Sequence, residues 1–266
     1  MQFQSHIPVR SFRDRTSKLI NLQEFQDSQT LNKQSSNIAI LFFSRSAKAE
    51  GQNKRFLQEQ NIPQNTRVAE LLITHTYSQI QKTDLPCFHI DEKQQVGNNF
   101  GERLTNAFQQ IFKKGYNYVI SVGNDTPQLK AKHIREAARQ LGSTKADIVL
   151  GPDIDGGTWL MGYSRDSFRE STFRHLPWNT AHLLDTILER YDGNEIHLLE
   201  KLCDIDFAKD LKAFLDRQTS EVRLRDLLRQ LQSIIASADQ YFTFEVIFPI
   251  CSPSYPSNRL RAPPAR

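Results

Sequence analysis

The sequence predicts an α/β domain built on a mostly parallel central sheet. Three observations carry that prediction. Short continuous apolar runs suit strands buried on both faces. Amphipathic stretches of helical period lie between them. The two kinds of segment alternate through most of the chain, which calls for βαβ connections rather than a sandwich or a bundle.

The first run, Asn37-Ile-Ala-Ile-Leu-Phe-Phe43, is the first predicted strand. A polar, basic stretch follows from Ser44 to Gln64, too polar for core and too basic for a mere connector. From Thr66, read as a cap, Val68, Leu71, Leu72, His75 and Gln79 share one helical face, with His75 a packed residue rather than a ligand. Phe100-Gly-Glu-Arg-Leu opens a second helix in which Leu104, Phe108, Ile111 and Phe112 form the apolar stripe, and Gly115 ends it. Tyr116 to Val122 reads as a strand, His133 to Leu141 as a helix on Ile134, Ala137, Ala138 and Leu141, and Ala146 to Leu150 as a strand. Trp159 to Tyr163 makes a further strand and Asn179 to Tyr191 a further helix.

This unit spans 37–216. Residues 1–36, rich in Gln, Ser and Arg without an apolar period, read as a poorly ordered or weakly helical extension. Residues 217–266 hold an amphipathic helix from Glu221 to Ala236, a strand-like segment from Tyr241 to Ile250, and a tail with four prolines in its last seventeen residues. That end is suited to packing on the domain or to pairing two copies as a homodimer.

Composition excludes several classes of function. The chain has 266 residues, 38% of them hydrophobic and 24% charged, enough for a real core. No apolar run approaches the roughly 20 residues of a membrane span, and no secretory h-region opens the sequence. Cys87, Cys203 and Cys251 are too widely spaced for a zinc site or a disulfide framework, so the expectation is a reduced, cytoplasmic protein. The net charge is +4, but its excess sits on the ends: five basic against three acidic residues in 1–36, and Arg259, Arg261 and Arg266 unopposed near the C-terminus. A nucleic-acid binder concentrates positive charge on its folded part, so nucleic acid is not the expected partner.

In an open α/β sheet, ligands bind beyond the carboxyl ends of the strands. After the first strand come Ser44, Arg45 and Lys48, then Gly51, Lys54 and Arg55, a Gly-containing basic segment suited to phosphate or equally to a solvated loop. After the Tyr118–Val122 strand come Gly123-Asn124-Asp125-Thr126-Pro127; Asp125 is a hard oxygen ligand for Mg²⁺ or Mn²⁺, or a turn cap. Gly151-Pro-Asp-Ile-Asp155-Gly156-Gly157-Thr158 follows the next strand, where Asp155 serves chemistry or a plain Asp-Gly hairpin turn. Asp204 and Asp206 sit two apart, so an extended chain points both to one side, towards a metal site; Asp206 also suits a helix N-cap.

Five strings occur in order: Phe100-Gly-Glu-Arg-Leu, Val122-Gly-Asn-Asp-Thr-Pro127, Val149-Leu-Gly-Pro-Asp-Ile-Asp-Gly-Gly157, Leu176-Pro-Trp-Asn-Thr180 and Asp204-Ile-Asp206. Together they resemble the glycosyltransferase family associated with radical-SAM/selenodomain proteins and arsenosugar biosynthesis. That family is related to the molybdenum-cofactor and phospholactate nucleotidyltransferases. The resemblance covers roughly 37–216 and implies the three-layer GT-A (nucleotide-diphospho-sugar transferase) fold. It implies a nucleotide pocket at the sheet's C-terminal edge, Asp125 and Asp206 as ligands of Mg²⁺ or Mn²⁺, and an acceptor-side loop at Asp155, Gly156 and Gly157. The first loop departs from the family pattern: Glu50 to Phe56 lacks the usual proline and is one residue shorter, and Thr158 replaces the usual aromatic.

The leading expectation is glycosyl transfer from a nucleotide sugar to a small-molecule acceptor. Asp155 would orient or deprotonate the acceptor, Ser44, Arg45, Lys48, Lys54, Arg55, Arg103 and Asn124 would hold the donor, and Gly156, Gly157, Thr158 and Trp178 would face the acceptor. Arg103 suits a phosphate contact or a salt bridge, and Trp178 a pocket wall or ordinary core. Two alternatives use the same pocket: nucleotidyl transfer from a nucleoside triphosphate with release of pyrophosphate, and binding or scaffolding without turnover.

Overall fold

Six strands form one sheet: β1 (Ile38–Phe43), β2 (Cys87–Ile90), β3 (Tyr118–Val122), β4 (Ile148–Pro152), β5 (Thr158–Ser164) and β6 (Ile196–Leu198). Their order is β2-β1-β3-β5-β4-β6. β5 runs antiparallel to both β3 and β4, and the other pairings are parallel. The computed structural model describes residues 37–57, 61–216 and 222–239. The expected extension before residue 37 and the strand-like segment and tail after 239 lie outside the described residues.

Alternation along the strands divides the core in two. Ala39, Leu41 and Phe43 of β1 point to one face with Val119, Leu150, Met161 and Tyr163. That face is covered by α3 (Phe100–Lys113), α5 (Glu170–Arg174) and α6 (Leu183–Arg190) through Leu104, Phe108, Ile111, Phe173 and Ile187. Ile38, Ile40 and Phe42 point to the other with Ile120, Val122 and Val149, covered by α4 (Ala131–Gly142) through Ile134, Ala137 and Leu141. A third cluster joins Phe56 and α2 (Ile62–Gln81) to α7 (Ala208–Leu215) and α8 (Val222–Asp239) through Val68, Leu72, Ile205, Leu211, Phe214, Leu227 and Leu231.

The stretch after β1 departs from the loop expectation. Residues Ala47–Asn53 form a short helix, α1, whose N-cap Ser46 accepts a hydrogen bond from the backbone N–H of Ala49. Gly51 is not a phosphate-loop glycine: a Cβ there would lie 2.5 Å from the backbone nitrogen of Thr66, so its role is to let α1 approach α2. Helix α2 begins at Ile62 with Pro63 in its first turn, four residues before Thr66, because Pro fits where the N–H has no partner. Helix α6 begins at Leu183 rather than Asn179, since Asn179 takes φ +60° and Thr180 turns back to donate to the Pro177 carbonyl.

The start of α4 fixes a histidine tautomer. His133 Nδ1 accepts from the backbone N–H of Lys130 at 3.1 Å, so its proton sits on Nε2, which lies 2.6 Å from Glu200 Oε1. Burial lowers the His133 pKa, and Glu200 only partly restores it. A histidine with a folded pKa below its unfolded value favours the unfolded state once protonated. Its stabilising contribution is therefore intact above the ordinary value near 6.5 and lost as pH falls below it. The melting temperature followed from pH 8 to pH 5 should fall on the acid side, and His133→Gln should flatten that slope.

Candidate active site

The crevice opens where the chain switches direction across the sheet, between β1 and β3, whose order places β2 and β3 on opposite sides of β1. Its lining comes from the segment after β1 (Ser44, Arg45, Glu50, Lys54), the segment after β3 (Gly123, Asn124, Asp125), the head of β5 (Thr158 to Met161), the start of α3 and the turn before α6. Asp204 and Asp206 complete it from the segment before α7.

At the centre is Lys54. Its Nζ lies 3.0 Å from Asp125 Oδ2, 2.8 Å from Asp206 Oδ1 and 3.5 Å from Glu50 Oε1. It also donates to the Ile205 carbonyl at 3.4 Å. Burial alone would lower the Lys54 pKa, but the charges of Asp125, Asp206 and Glu50 outweigh it and hold the ammonium well above the ordinary lysine range. Asp206 is raised by its removal from water and by Asp125, against the pull of Lys54. Asp204 stands well above the ordinary carboxylate range, first through loss of water and then through Asp125, Asp153 and Asp206. Thr126 Oγ1 donates to Asp204 Oδ1 at 2.6 Å, so the threonine after Asp125 is an anchor for this third carboxylate. Asp206 is not the cap of α7. Phe207 takes that position, and Asp210 accepts from both Asp206 and Phe207 backbone N–H groups.

Two arginines border the acidic cluster. Arg45 reaches Glu50 at 3.4 Å. Arg103 has no carboxylate partner among the described residues, its Nε is buried without a hydrogen bond, and burial together with Arg45 lowers its pKa. Trp178 lines the crevice and packs on Phe100 and Phe173 at centroid distances of 5.3 and 5.0 Å, with Nε1 donating to the Phe173 carbonyl.

Of the predicted site residues, Ser44, Arg45, Lys54, Arg103, Asn124, Asp125, Gly157, Thr158, Trp178 and Asp206 share this crevice. Lys48, Arg55, Asp155 and Gly156 are outside its lining. Lys48 is exposed on α1, and exposed Arg55 forms a parallel bridge with Phe207. Asp155 is exposed in the β4–β5 hairpin, the Asp-Gly turn that the sequence offered as the alternative to a chemical role. Gly156, at φ +91°, has no room for a Cβ, which would collide with the Ala181 carbonyl, so the fold rather than a ligand requires glycine there. Glu50, Gln95 and Asn179 enter the lining without having been predicted, and Asp204, which the sequence offered beside Asp206, joins them. The first had a signal in the sequence, its i,i+4 spacing to Lys54.

Among the described residues, no group of three or more His, Cys, Asp or Glu side chains is arranged to hold a metal ion. Two convergent carboxylates suit the alternative, a hard divalent cation completed by water and substrate phosphates. Cys87 is a free thiol, Cys251 lies outside the described residues, and none of the described helices is long and apolar enough to cross a membrane.

Comparison with known proteins agrees with this frame. A family described as uncharacterized proteins conserved in bacteria (DUF2064) matches residues 68–180, a stretch that contains four of the five ordered strings and omits Asp204-Ile-Asp206. No curated protein matches the sequence. A solved protein from Desulfovibrio desulfuricans G20, provisionally assigned as a nucleotide-diphospho-sugar transferase, superposes with a TM-score of 0.64 at 21% identity over 76% of this chain and 97% of its own. The chain thus has the nucleotide-diphospho-sugar transferase (GT-A) fold, as expected. A cytidylyltransferase from Leptospira borgpetersenii serovar Hardjo-bovis matches with a TM-score of 0.38 at 14% identity, over 79% and 99% of the two chains. The manganese complex of Rv0371C from Mycobacterium tuberculosis H37Rv gives 0.38 at 12%, over 66% and 96%. Similarity at those levels identifies no shared chemistry.

The hairpin beside the crevice depends on Asp153, whose buried Oδ1 accepts from the backbone N–H groups of Asp155 at 3.0 Å and Gly157 at 2.7 Å. Asp153→Ala strands both donors and should cost about 1–3 kcal/mol in urea denaturation, while Asp153→Asn, which keeps an acceptor there, should cost less.

Proposed function

We propose that this chain is a metal-dependent transferase using a nucleotide-activated donor, and that it transfers a sugar from a nucleotide diphosphate to a small acceptor. The observation that carries the reading is the meeting of Asp125 and Asp206, 81 positions apart in sequence, on one point at the C-terminal edge of the sheet. The fold shared with the Desulfovibrio protein supports the nucleotide-sugar class. The narrower kinship with arsenosugar-associated glycosyltransferases rests on the five strings alone.

In this reading Asp125 and Asp206 hold Mg²⁺ or Mn²⁺, which supplies charge neutralisation to a diphosphate when bound. The bond between sugar carbon and diphosphate oxygen breaks, a bond to the acceptor's hydroxyl oxygen forms, and the hydroxyl proton passes to the departing diphosphate or to solvent. The departing diphosphate gains negative charge. Arg103, which lacks a carboxylate partner among the described residues, and Arg45 beside it are placed to stabilise that charge. This reading assigns Asn124 and Ser44 to the donor and Gly157, Thr158 and Trp178 to the acceptor, all five in the lining of one crevice. Asp155, exposed and outside the lining, has no part in this reading. Nucleotidyl transfer is disfavoured by Gly51, which is spent on helix packing instead of a triphosphate loop.

The test is product analysis. Incubation with a panel of nucleotide sugars, nucleoside triphosphates and Mn²⁺ should release nucleoside diphosphate, and Asp125→Asn and Asp206→Asn should each lower that rate by about 10²–10³-fold. Pyrophosphate as the product would move the assignment to nucleotidyl transfer. Absence of any nucleotide-dependent heat in calorimetry would leave a binding scaffold.

A further inference from the structure

Lys54 occupies the point that the metal reading assigns to a divalent cation. The ammonium lies within 3.0 Å of one oxygen from each of Asp125 and Asp206, with Glu50 and the Ile205 carbonyl closing the shell. Its side chain is only 13% exposed. A cation held between those two oxygens and the ammonium cannot share the space, because two positive groups a few ångströms apart repel strongly where water is scarce. The lysine also has somewhere to go: it leaves the C-terminal end of α1 at an extended C-cap, and the open crevice lies beside it.

We infer that Lys54 is an internal place-holder, a tethered cation that balances the acidic cluster until a divalent ion displaces it. The charge count favours a device of this kind. Asp125, Asp204, Asp206 and Glu50 line one end of the crevice, and the Lys54 ammonium lies within 3.5 Å of three of them, Glu50, Asp125 and Asp206. Without it the empty site would hold the carboxylates of Glu50, Asp125 and Asp206 against one another with no counter-charge between them. Displacement couples two events. The ion takes the carboxylates, and the ammonium swings into the crevice, where a phosphate oxygen is the natural partner. Cation binding thereby arms the lysine for the donor.

This inference rests on the metal reading of Asp125 and Asp206, and the experiment separates the two. Mn²⁺ binding is measured by electron paramagnetic resonance on the wild-type chain and on Lys54→Met, with Lys54→Gln as a second variant should the first fold poorly. Loss of the competitor should tighten Mn²⁺ by about tenfold or more. Any nearby positive charge would do the same, so the position of the lysine is read independently on wild-type protein. Acetylation of Lys54, followed by mass spectrometry, should be slow without metal and several-fold faster at saturating Mg²⁺. Measurable Mn²⁺ binding with unchanged Lys54 acetylation, or equal affinity in the variants, overturns the place-holder and leaves the metal site standing. Absence of Mn²⁺ binding to every form, with and without a nucleoside diphosphate, sinks the metal reading and the inference together.

Discussion

A largely buried ammonium among carboxylates constrains this molecule more than any single apolar contact. Removing one partner from a lone buried ion pair costs about 3–5 kcal/mol, and here the ammonium is shared among three carboxylates, so the loss of any one leaves two. The partners come from three distant segments: the end of α1, the end of β3 and the strand-like run before α7. Backbone pairing holds them in register. The Ile205 N–H donates to the Asp125 carbonyl at 2.7 Å, and Arg55 bridges Phe207 one residue beyond each charged group. Phe56 and Ile205, both fully buried, carry the same joint into the apolar cluster with α2, α7 and α8. The charged centre and the third core are thus two sides of one seam, and the fold cannot place one without the other.

What the sequence revealed follows from how far each signal reaches. Strands such as Ile38–Phe43 and Ile148–Pro152 lie inside the sheet with every residue buried, so their apolar runs are unbroken and readable. Strand β2 is an edge strand of Cys-Phe-His-Ile with mixed exposure, and β6 has three residues on the other edge. Both are set by pairing to a neighbour, and their own sequences carry little periodicity. Helix α1 escaped for a different reason. Its buried face consists of Glu50 and Gly51, residues that no apolar pattern would flag.

The site shows the same division. Residues directly beyond a strand end, Ser44, Arg45, Asn124 and Asp125, are fixed by the strand and arrived in the crevice as expected. Those further along depend on how the following segment folds. Once 47–53 is a helix, Glu50 and Lys54 stack on one face by their i,i+4 spacing and turn inward, and Lys48 falls off that face. Once β4 and β5 are joined by a tight hairpin, Asp153 is drawn in to cap the turn and Asp155 is pushed out. The carboxylate that matters in that loop is therefore the one two residues earlier, a choice that only the hairpin's hydrogen bonds make.

The reversed strand explains why the crevice has two chemically distinct walls. Antiparallel β5 lies between β3 and β4, so its first residues stand beside the last residues of β3. Thr158 to Met161 thereby face Gly123 to Asp125 across the same opening, which a wholly parallel arrangement would have left to a strand's far end. Leu176 to Thr180 then close the rim, with Trp178 pinned between Phe100 and Phe173 against Gly101, where a Cβ would meet the indole at 2.6 Å. One wall is charged and comes from the ends of parallel strands. The other carries Thr158, Trp159, Trp178, Asn179 and Thr180 and comes from the hairpin and the turn before α6. Two substrates that differ in charge could each meet a matching surface without either wall having to serve both, and that division of labour follows from the direction of a single strand.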